Sequence, residues 1–469
     1  MCLRPSLSAL AVVAALAVSP TQAAPAFVNA LILDGTAVDA SGGTAVNNGR
    51  MGYFSDLYYD PQRREWWALS DRGPGGGTIP YETRIHRLAL DVDPDTGAIS
   101  NPRVLQTLIL RAGGSALDGF SPTAGGDLGL AFDPEGVVVH PITGHLLISD
   151  EYGPSVYQFN TFGQKVREYR VPDTVRPRNT LTGTLNHSSD AGNTAGKRSN
   201  RGFEGLAISP DGNRLYAMLQ SAMLDEGGGD GSWVRIVAFD TGTARPLAQY
   251  AYRLEGSSQG RGISALVAVN DDEFLVLERN NRGLGVDANL ASPNKKVFRI
   301  SLAGASDVTH VKLNDPASSF VPVTKTATPW LDLAAPSTLG HPSLAPLGGV
   351  SPEKWEGLTV GPQLADGSYL VLAGTDADYS VTQNATGTQR DVYFKPAATA
   401  GSVLRIQCDI GSFDNCLSVN ADGSTGAAVP AGFDFTGYRL LPGVLHAYKA
   451  SAADLAGYLP AGTRRWNWR

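Results

Sequence analysis

Cysteine is nearly missing from this chain: three occur in 469 residues. Cys2 falls in an N-terminal stretch that a mature protein is expected to lose. The other two, Cys408 and Cys416, stand in "QCDIGSFDNC". No histidine or third cysteine lies beside them, which disfavours zinc and leaves a small disulfide loop in an oxidising compartment as the expectation, with two free thiols as the alternative. Charge is scarce as well, at 18% of residues, with a net value of -7 and the two signs interspersed. There is no basic block for nucleic acid and no acidic arm for a disordered contact.

Long apolar runs are absent beyond the first two dozen residues. "MCLRPSLSALAVVAALAVSPTQAAPAF" has one arginine, an apolar run between Leu7 and Val18, and then small residues. That is the layout of a secretory signal peptide cleaved after Ala23 or Ala24, and the run is too short to span a bilayer comfortably. Residues 1–23 are therefore expected to be a signal peptide. Residues 24–469 are expected to form one secreted or periplasmic domain, monomeric and without a membrane span.

Familiar catalytic signatures are missing too. No G-x-S-x-G supports a nucleophile elbow, no H-E-x-x-H supports a zinc hydrolase, and the seven histidines are scattered. "DVDPDTGAI" (91–99) resembles a calcium loop, but its glycine is one position late and Pro102 stands where a glutamate should. It reads as a hairpin turn.

Glycine (54) and proline (29) are plentiful, which favours many turns and short strands. Five stretches repeat one pattern: "YFSDLYYDPQRREWWALSDRG" (53–73), "DPEGVVVHPITGHLLISDEYG" (133–153), "GFEGLAISPDGNRLYAMLQS" (202–221), "GISALVAVNDDEFLVLERN" (262–280) and "KWEGLTVGPQLADGSYLVLAG" (354–374). Each is a short apolar strand, a turn rich in Pro, Asp, Asn or Gly, and a second strand. Third strands follow as "RIHRLAL", "SVYQFN", "VRIVAFD", "KVFRISL" and "SVLRIQC". Recurring four-stranded units predict an all-β fold, a β-propeller. Six blades are expected, five visible as repeats and a sixth assembled from "FVNALIL" near the start and "GVLHAYKA" near the finish. Segments near 176–200 and 314–350 lack an apolar period and are expected to be long loop insertions.

In a propeller the first strand of each blade lines the central channel. Glu135, Glu204 and Glu356 fall at equivalent positions at the start of that strand, each followed by glycine, while Ser55 (beside Asp56) and Ser264 hold the position in the other repeats. Three converging carboxylates repel one another unless neutralised, and Ca²⁺ suits an all-oxygen site. The alternative is that they are solvated or bond loop amides. The second strands end in Asp71 and Arg72, Asp150 and Glu151, Glu278 and Arg279, and Asp376 with Asp378. Antiparallel pairing brings these to the same face. The expected metal ligands are thus Asp71, Glu135, Asp150, Glu151, Glu204, Glu278, Glu356, Asp376 and Asp378. The expected catalytic residues are Arg72, Glu204, Arg279 and Glu356, with Lys354 and Arg201 as further cations. Acids for metal and arginines for an anionic group are what metal-assisted phosphoester hydrolysis requires.

"SDRGPGG", "DPEGVVV…LLISDEYGP", "NRGFEGLAISPDGNRLYAMLQSA" and "KWEGLTV" resemble the phytase-like family of exported bacterial propellers, described as esterase-like, over roughly residues 45–450. The resemblance implies a relation to β-propeller phytases, which release phosphate from inositol phosphates with several Ca²⁺ ions. By that analogy Glu204, Glu356 and Asp376 would hold Ca²⁺, and Arg72 and Arg279 would hold phosphate oxygens. The expectation is a Ca²⁺-dependent hydrolase of a small anionic phosphate ester. Its rivals are a Ca²⁺-dependent propeller lactonase or carboxylic esterase, and a non-catalytic binding propeller.

Overall fold

The computed structural model describes residues 24–41, 49–123, 127–382 and 388–463. The expected signal peptide, 1–23, lies outside the described residues. Among them, no helix is long and apolar enough to cross a membrane.

The hairpins of the sequence become sheets. Blade 1 is built from Asp56–Asp60, Glu65–Leu69, Arg84–Val92 and Ile99–Ile109, and blade 2 from Pro134–Val139, Leu146–Asp150, Ser155–Phe159 and Lys165–Glu168. Blade 3 comprises Phe203–Ile208, Arg214–Leu219, Trp233–Asp240 and Arg245–Arg253. Blade 4 comprises Arg261–Ala268, Glu273–Asn280, Lys295–Ser301 and Thr324–Lys325, with Leu331–Asp332 on the same third strand. The turns are made as their residues dictate. In "SPDGN" the Asp211 carboxylate accepts the Asn213 amide at 3.0 Å and Gly212 takes φ +79°. In "DVDPDTGAI" the Asp93 carboxylate accepts the amides of Asp95 and Thr96, so the segment is a hairpin turn.

Blade 5 corrects the expected count of six. "FVNALIL" and "GVLHAYKA" do pair, antiparallel from Ala26↔Lys449 to Leu33↔Gly443. They add to the hairpin Trp355–Gln363 and Tyr369–Thr375 and make no blade of their own. The inner strands of blades 1 to 5 pack each against the next, and the fifth returns to the first, so the ring closes at five. "SVLRIQC" is not the third strand of this blade. It lies in a separate sheet of Arg390–Pro396, Val403–Asp409, Leu417–Val419, Thr425–Ala428 and Arg439–Leu440, inserted between the second and third strands of blade 5. The Cys408–Cys416 disulfide pins this insertion. Segment 314–350 is likewise not all loop, since it supplies the outer strands of blade 4 and the short helix Pro336–Leu339.

The core sits between the blades. Leu147, Phe203, Tyr216, Leu266 and Phe274 knit blades 2, 3 and 4; Leu277, Trp355 and Val371 join 4 to 5; Leu57, Trp66 and Leu372 join 5 to 1; Leu69, Phe132 and Ile148 join 1 to 2. Both faces of each sheet are covered, which is why the inner strands read as nearly unbroken apolar runs. Each fully buried large side chain contributes about 1.5–3 kcal/mol. The channel itself is lined by Leu57, Val137, Leu206, Leu266 and Leu358, and Tyr458, Leu459 and Ala461 close its far end. The closing segment is held by Leu459 N to Val269 O at 2.8 Å and Gly462 N to Pro210 O at 2.6 Å.

Candidate functional site

At the other end of the channel, four of the five inner strands begin with a break in register. The breaks fall between Pro134 and Val137, Phe203 and Gly205, Ile263 and Ala265, and Trp355 and Gly357. Glu135, Glu204, Ser264 and Glu356 lie inside them. A β-bulge leaves its extra residue out of the ladder and re-aims its side chain. The glycines that follow have a steric reason. A Cβ on Gly205 would come 2.7 Å from Leu266 Cβ, and one on Gly136 would come 2.5 Å from the Glu204 carbonyl oxygen. They let neighbouring inner strands approach directly beneath the carboxylates. Blade 1 has no bulge there. Its Asp56 carboxylate accepts the amides of Leu57 and Val137, each at 2.8 Å, and so braces blade 1 against blade 2.

Glu135, Glu204 and Glu356 are 7%, 2% and 5% exposed. Ligand atoms of Asp133, Glu135 and Glu151 all lie within 4.8 Å of one another. Glu151 Oε1 and Glu204 Oε2 are buried without a hydrogen-bond partner. Burial pushes Glu135 and Glu204 well above the carboxylate range; Glu204, Asp133, Glu151 and Glu356 raise the first further, and Glu151 and Glu356 the second. Burial also lifts Asp133 to about 7 against the pull of Arg72, and Glu356 to about 7 against Arg279 and Lys354. Left alone, this cluster resists its own ionisation. Hard oxygen donors, mutual repulsion and two orphaned buried oxygens together fit a divalent cation such as Ca²⁺.

The remaining expected residues divide into two groups. Arg72 donates to Asp133 at 3.1 Å and to Asn200, and Arg279 donates to Ser264 Oγ at 2.9 Å and to Glu356. Lys354 joins Asp376 at 2.8 Å to Asp378 at 2.5 Å, and burial lifts Asp378 to about 8 against that lysine. Asp71 accepts the Gly73 amide at 2.9 Å; burial and then Asp376 raise it well above its usual value. These groups border the cluster, already paired. Asp150 and Glu278 are occupied elsewhere. Asp150 accepts the amides of Asp133, Tyr152 and Gly153 and the Ser155 hydroxyl at 2.6 Å, filling its acceptor positions and shaping the turn after its strand. Glu278 accepts from Tyr252, Arg261, Lys325 and the Glu255 amide. Adjacent residues on a strand face opposite ways, so a strand that aims Arg279 at the mouth aims Glu278 at blade 3.

Asp133 was not among the expected ligands. Its signal is the alternation in "DPE": it stands two residues before Glu135, as Lys354 stands two before Glu356.

The family described as Phytase-like, esterase-like activity of phytase, matches residues 49–379. The chain belongs to this family. Within the Phytase-like match fall all five inner strands and every carboxylate of the cluster. A protein of Arthroderma benhamiae named "Uncharacterized secreted protein" is 24% identical, with 71% of this chain and 81% of that one covered. Among solved structures, the Dos1 propeller is 11% identical over 90% of this chain and 74% of its own, at a TM-score of 0.27. The Cps50 (Swd1) β-propeller domain of Myceliophteria thermophila is 12% identical over 84% and 82%, at 0.29. The sheet topology described above, and not these scores, carries the propeller assignment.

Proposed function

We propose that this Phytase-like protein is an exported, Ca²⁺-dependent hydrolase of phosphate esters whose reaction takes place at the carboxylate-lined mouth. The observation that carries the reading is the buried trio Asp133, Glu135 and Glu151, with Glu204 beside it and two of the oxygens unpartnered. Export rests on the leader-like residues 1–23 and agrees with the name of the Arthroderma relative.

Asp133, Glu135, Glu151 and Glu204 would hold the cation. When bound, it supplies Lewis-acid polarisation of a phosphoryl oxygen. The protein's own groups do the positioning. Arg72, tied to Asp133 and Asn200, fixes the Asp133 carboxylate in place. Arg279 is anchored through Nε and Nη2, which leaves Nη1 to donate to an oxygen of the ester. Below them the apolar channel, closed at its far end by Tyr458 and Leu459, keeps bulk water from reaching the site from beneath. Water and substrate therefore enter through the mouth.

Metal analysis of the purified protein, coupled to a panel of phosphate esters and lactones with and without chelator, tests this reading. The expected result is phosphate release that chelator abolishes and Ca²⁺ restores. Metal-loaded protein that releases phosphate from none of the esters would overturn it, and turnover of lactones alone would reassign the reaction to carboxylic esters.

A further inference from the structure

Three arginines converge on a pocket between blades 3 and 4 at the rim of the mouth, next to the carboxylate cluster, with which it shares the Glu356-paired Arg279. Its lining includes Arg201, Gln220, Arg261, Ser264, Arg279 and Asn281. Two of the guanidinium groups are neutralised. Arg261 donates to Glu278 at 2.9 Å, a carboxylate that it shares with Lys325 at 3.1 Å, and Arg279 is paired with Glu356. Arg201 is different. Its hydrogen bond among the described residues goes to the side-chain oxygen of Gln220, and it has no ion-pair partner there. A partly buried guanidinium without a counter-ion is costly, since it loses water and gains no opposite charge in exchange. Burial accordingly pulls Arg201 below its usual value, and the more distant Glu151 and Glu204 offset this only in part.

The wall of the pocket is kept thin by Gly262. A Cβ there would come 2.9 Å from Gln220 Cγ and 3.0 Å from its carbonyl oxygen, so any side chain would press the glutamine against Arg201. Ser264, in the bulge of blade 4, adds a hydroxyl, and exposed Asn281 adds an amide at the opening. Donors therefore reach the pocket from both blades, and the pocket carries more positive than negative charge. Such a set matches an oxyanion with acceptors pointing several ways, which describes a phosphate group better than a flat carboxylate.

We propose that this pocket binds a phosphate group, with Arg201 as its anchor, and thereby selects anionic substrates for the neighbouring carboxylate site. The selection rests on the reading that the mouth is where substrate reacts; the binding of phosphate does not. The two are separated by working without metal.

The experiment titrates the whole protein, stripped with chelator, with inorganic phosphate in a calorimeter, and repeats it with acetate. Saturable binding of phosphate at one site is expected, with acetate binding at least about tenfold more weakly. Arg201→Gln should weaken phosphate at least about tenfold, and Arg201→Lys should recover part of that loss. Should Arg201→Gln prove unfolded by circular dichroism, Asn281→Asp, a change at an exposed position, places a carboxylate at the opening and should weaken phosphate several-fold. No saturable phosphate binding by the wild-type protein, or unchanged binding by both folded variants, would overturn the pocket. Acetate binding as tight as phosphate would overturn its preference for phosphate.

Discussion

The five inner strands end in two very different ways. At the far end four of them run in regular register, blade 5 alone shifting between Val360 and Gln363. They lead into turns such as that of blade 1, where Asp60 accepts the amides of Gln62 and Arg63 and pairs with the Arg63 guanidinium at 2.7 Å. There the channel is apolar and covered by the C-terminal segment. At the mouth four of the same strands break register and bury Glu135, Glu204 and Glu356 beside Asp133 and Glu151. The same ladder thus supports a stable end and a costly one. The contrast teaches that the carboxylates are not what holds the blades together. Inter-blade packing does that, and the mouth draws on it.

Removing a charge that does hold blades together should have the largest effect on stability. Glu278→Gln leaves Arg261 and Lys325 without their shared carboxylate and should cost about 3 kcal/mol in denaturant unfolding, with metal affinity unchanged. Next, Glu135→Gln should weaken Ca²⁺ binding about 100-fold, an effect of about 2.7 kcal/mol, measured by calorimetric titration. At the far end, Ile208→Val trims a side chain that lines the channel and should cost about 1 kcal/mol while leaving metal affinity alone. An equal effect of Ile208→Val and Glu135→Gln on metal binding would erase the distinction between the two ends.

The smallest effect should be on pH dependence. Asp133 and Glu356 titrate near about 7 and Asp378 near about 8 in the folded chain, all raised from ordinary carboxylate values of 3.8 to 4.5. The native state therefore binds more protons than the unfolded state in between, and stability falls as pH rises from about 4 to about 8, levelling off above. Metal-free protein should melt higher at about pH 5.5 than at about pH 8, and bound Ca²⁺ should flatten that slope. A metal-free protein most stable at the alkaline end would contradict the sign.

Much of this was readable in the sequence because it is local. A hairpin with "SPDGN" at its turn needs no distant partner, so the blades declared themselves one at a time, and their shared register placed Glu135, Glu204 and Glu356 together. Blade 5 was not readable, because nothing in "SVLRIQC" says that Arg390–Leu440 is an insertion or that the third strand waits until Gly443. The apolar pattern of a strand does not name its neighbour. Glu278 was misplaced for a similar reason: its place beside Arg279 in sequence is what turns it away from the mouth. Asp133 opens the repeat of blade 2 and Arg201 stands just before that of blade 3, but what each does becomes clear from what does or does not pair with it in the fold.

The most direct test compares thermal unfolding of wild-type protein and Glu204→Gln, each stripped of metal and each with Ca²⁺. If the mouth carboxylates serve a cation at the fold's expense, the metal-free variant will melt above the metal-free wild type, and Ca²⁺ will raise the wild type more than the variant. A variant that melts below wild type without metal, together with no shift of either protein on adding Ca²⁺, would show that Glu204 is part of the scaffold and that the account is wrong.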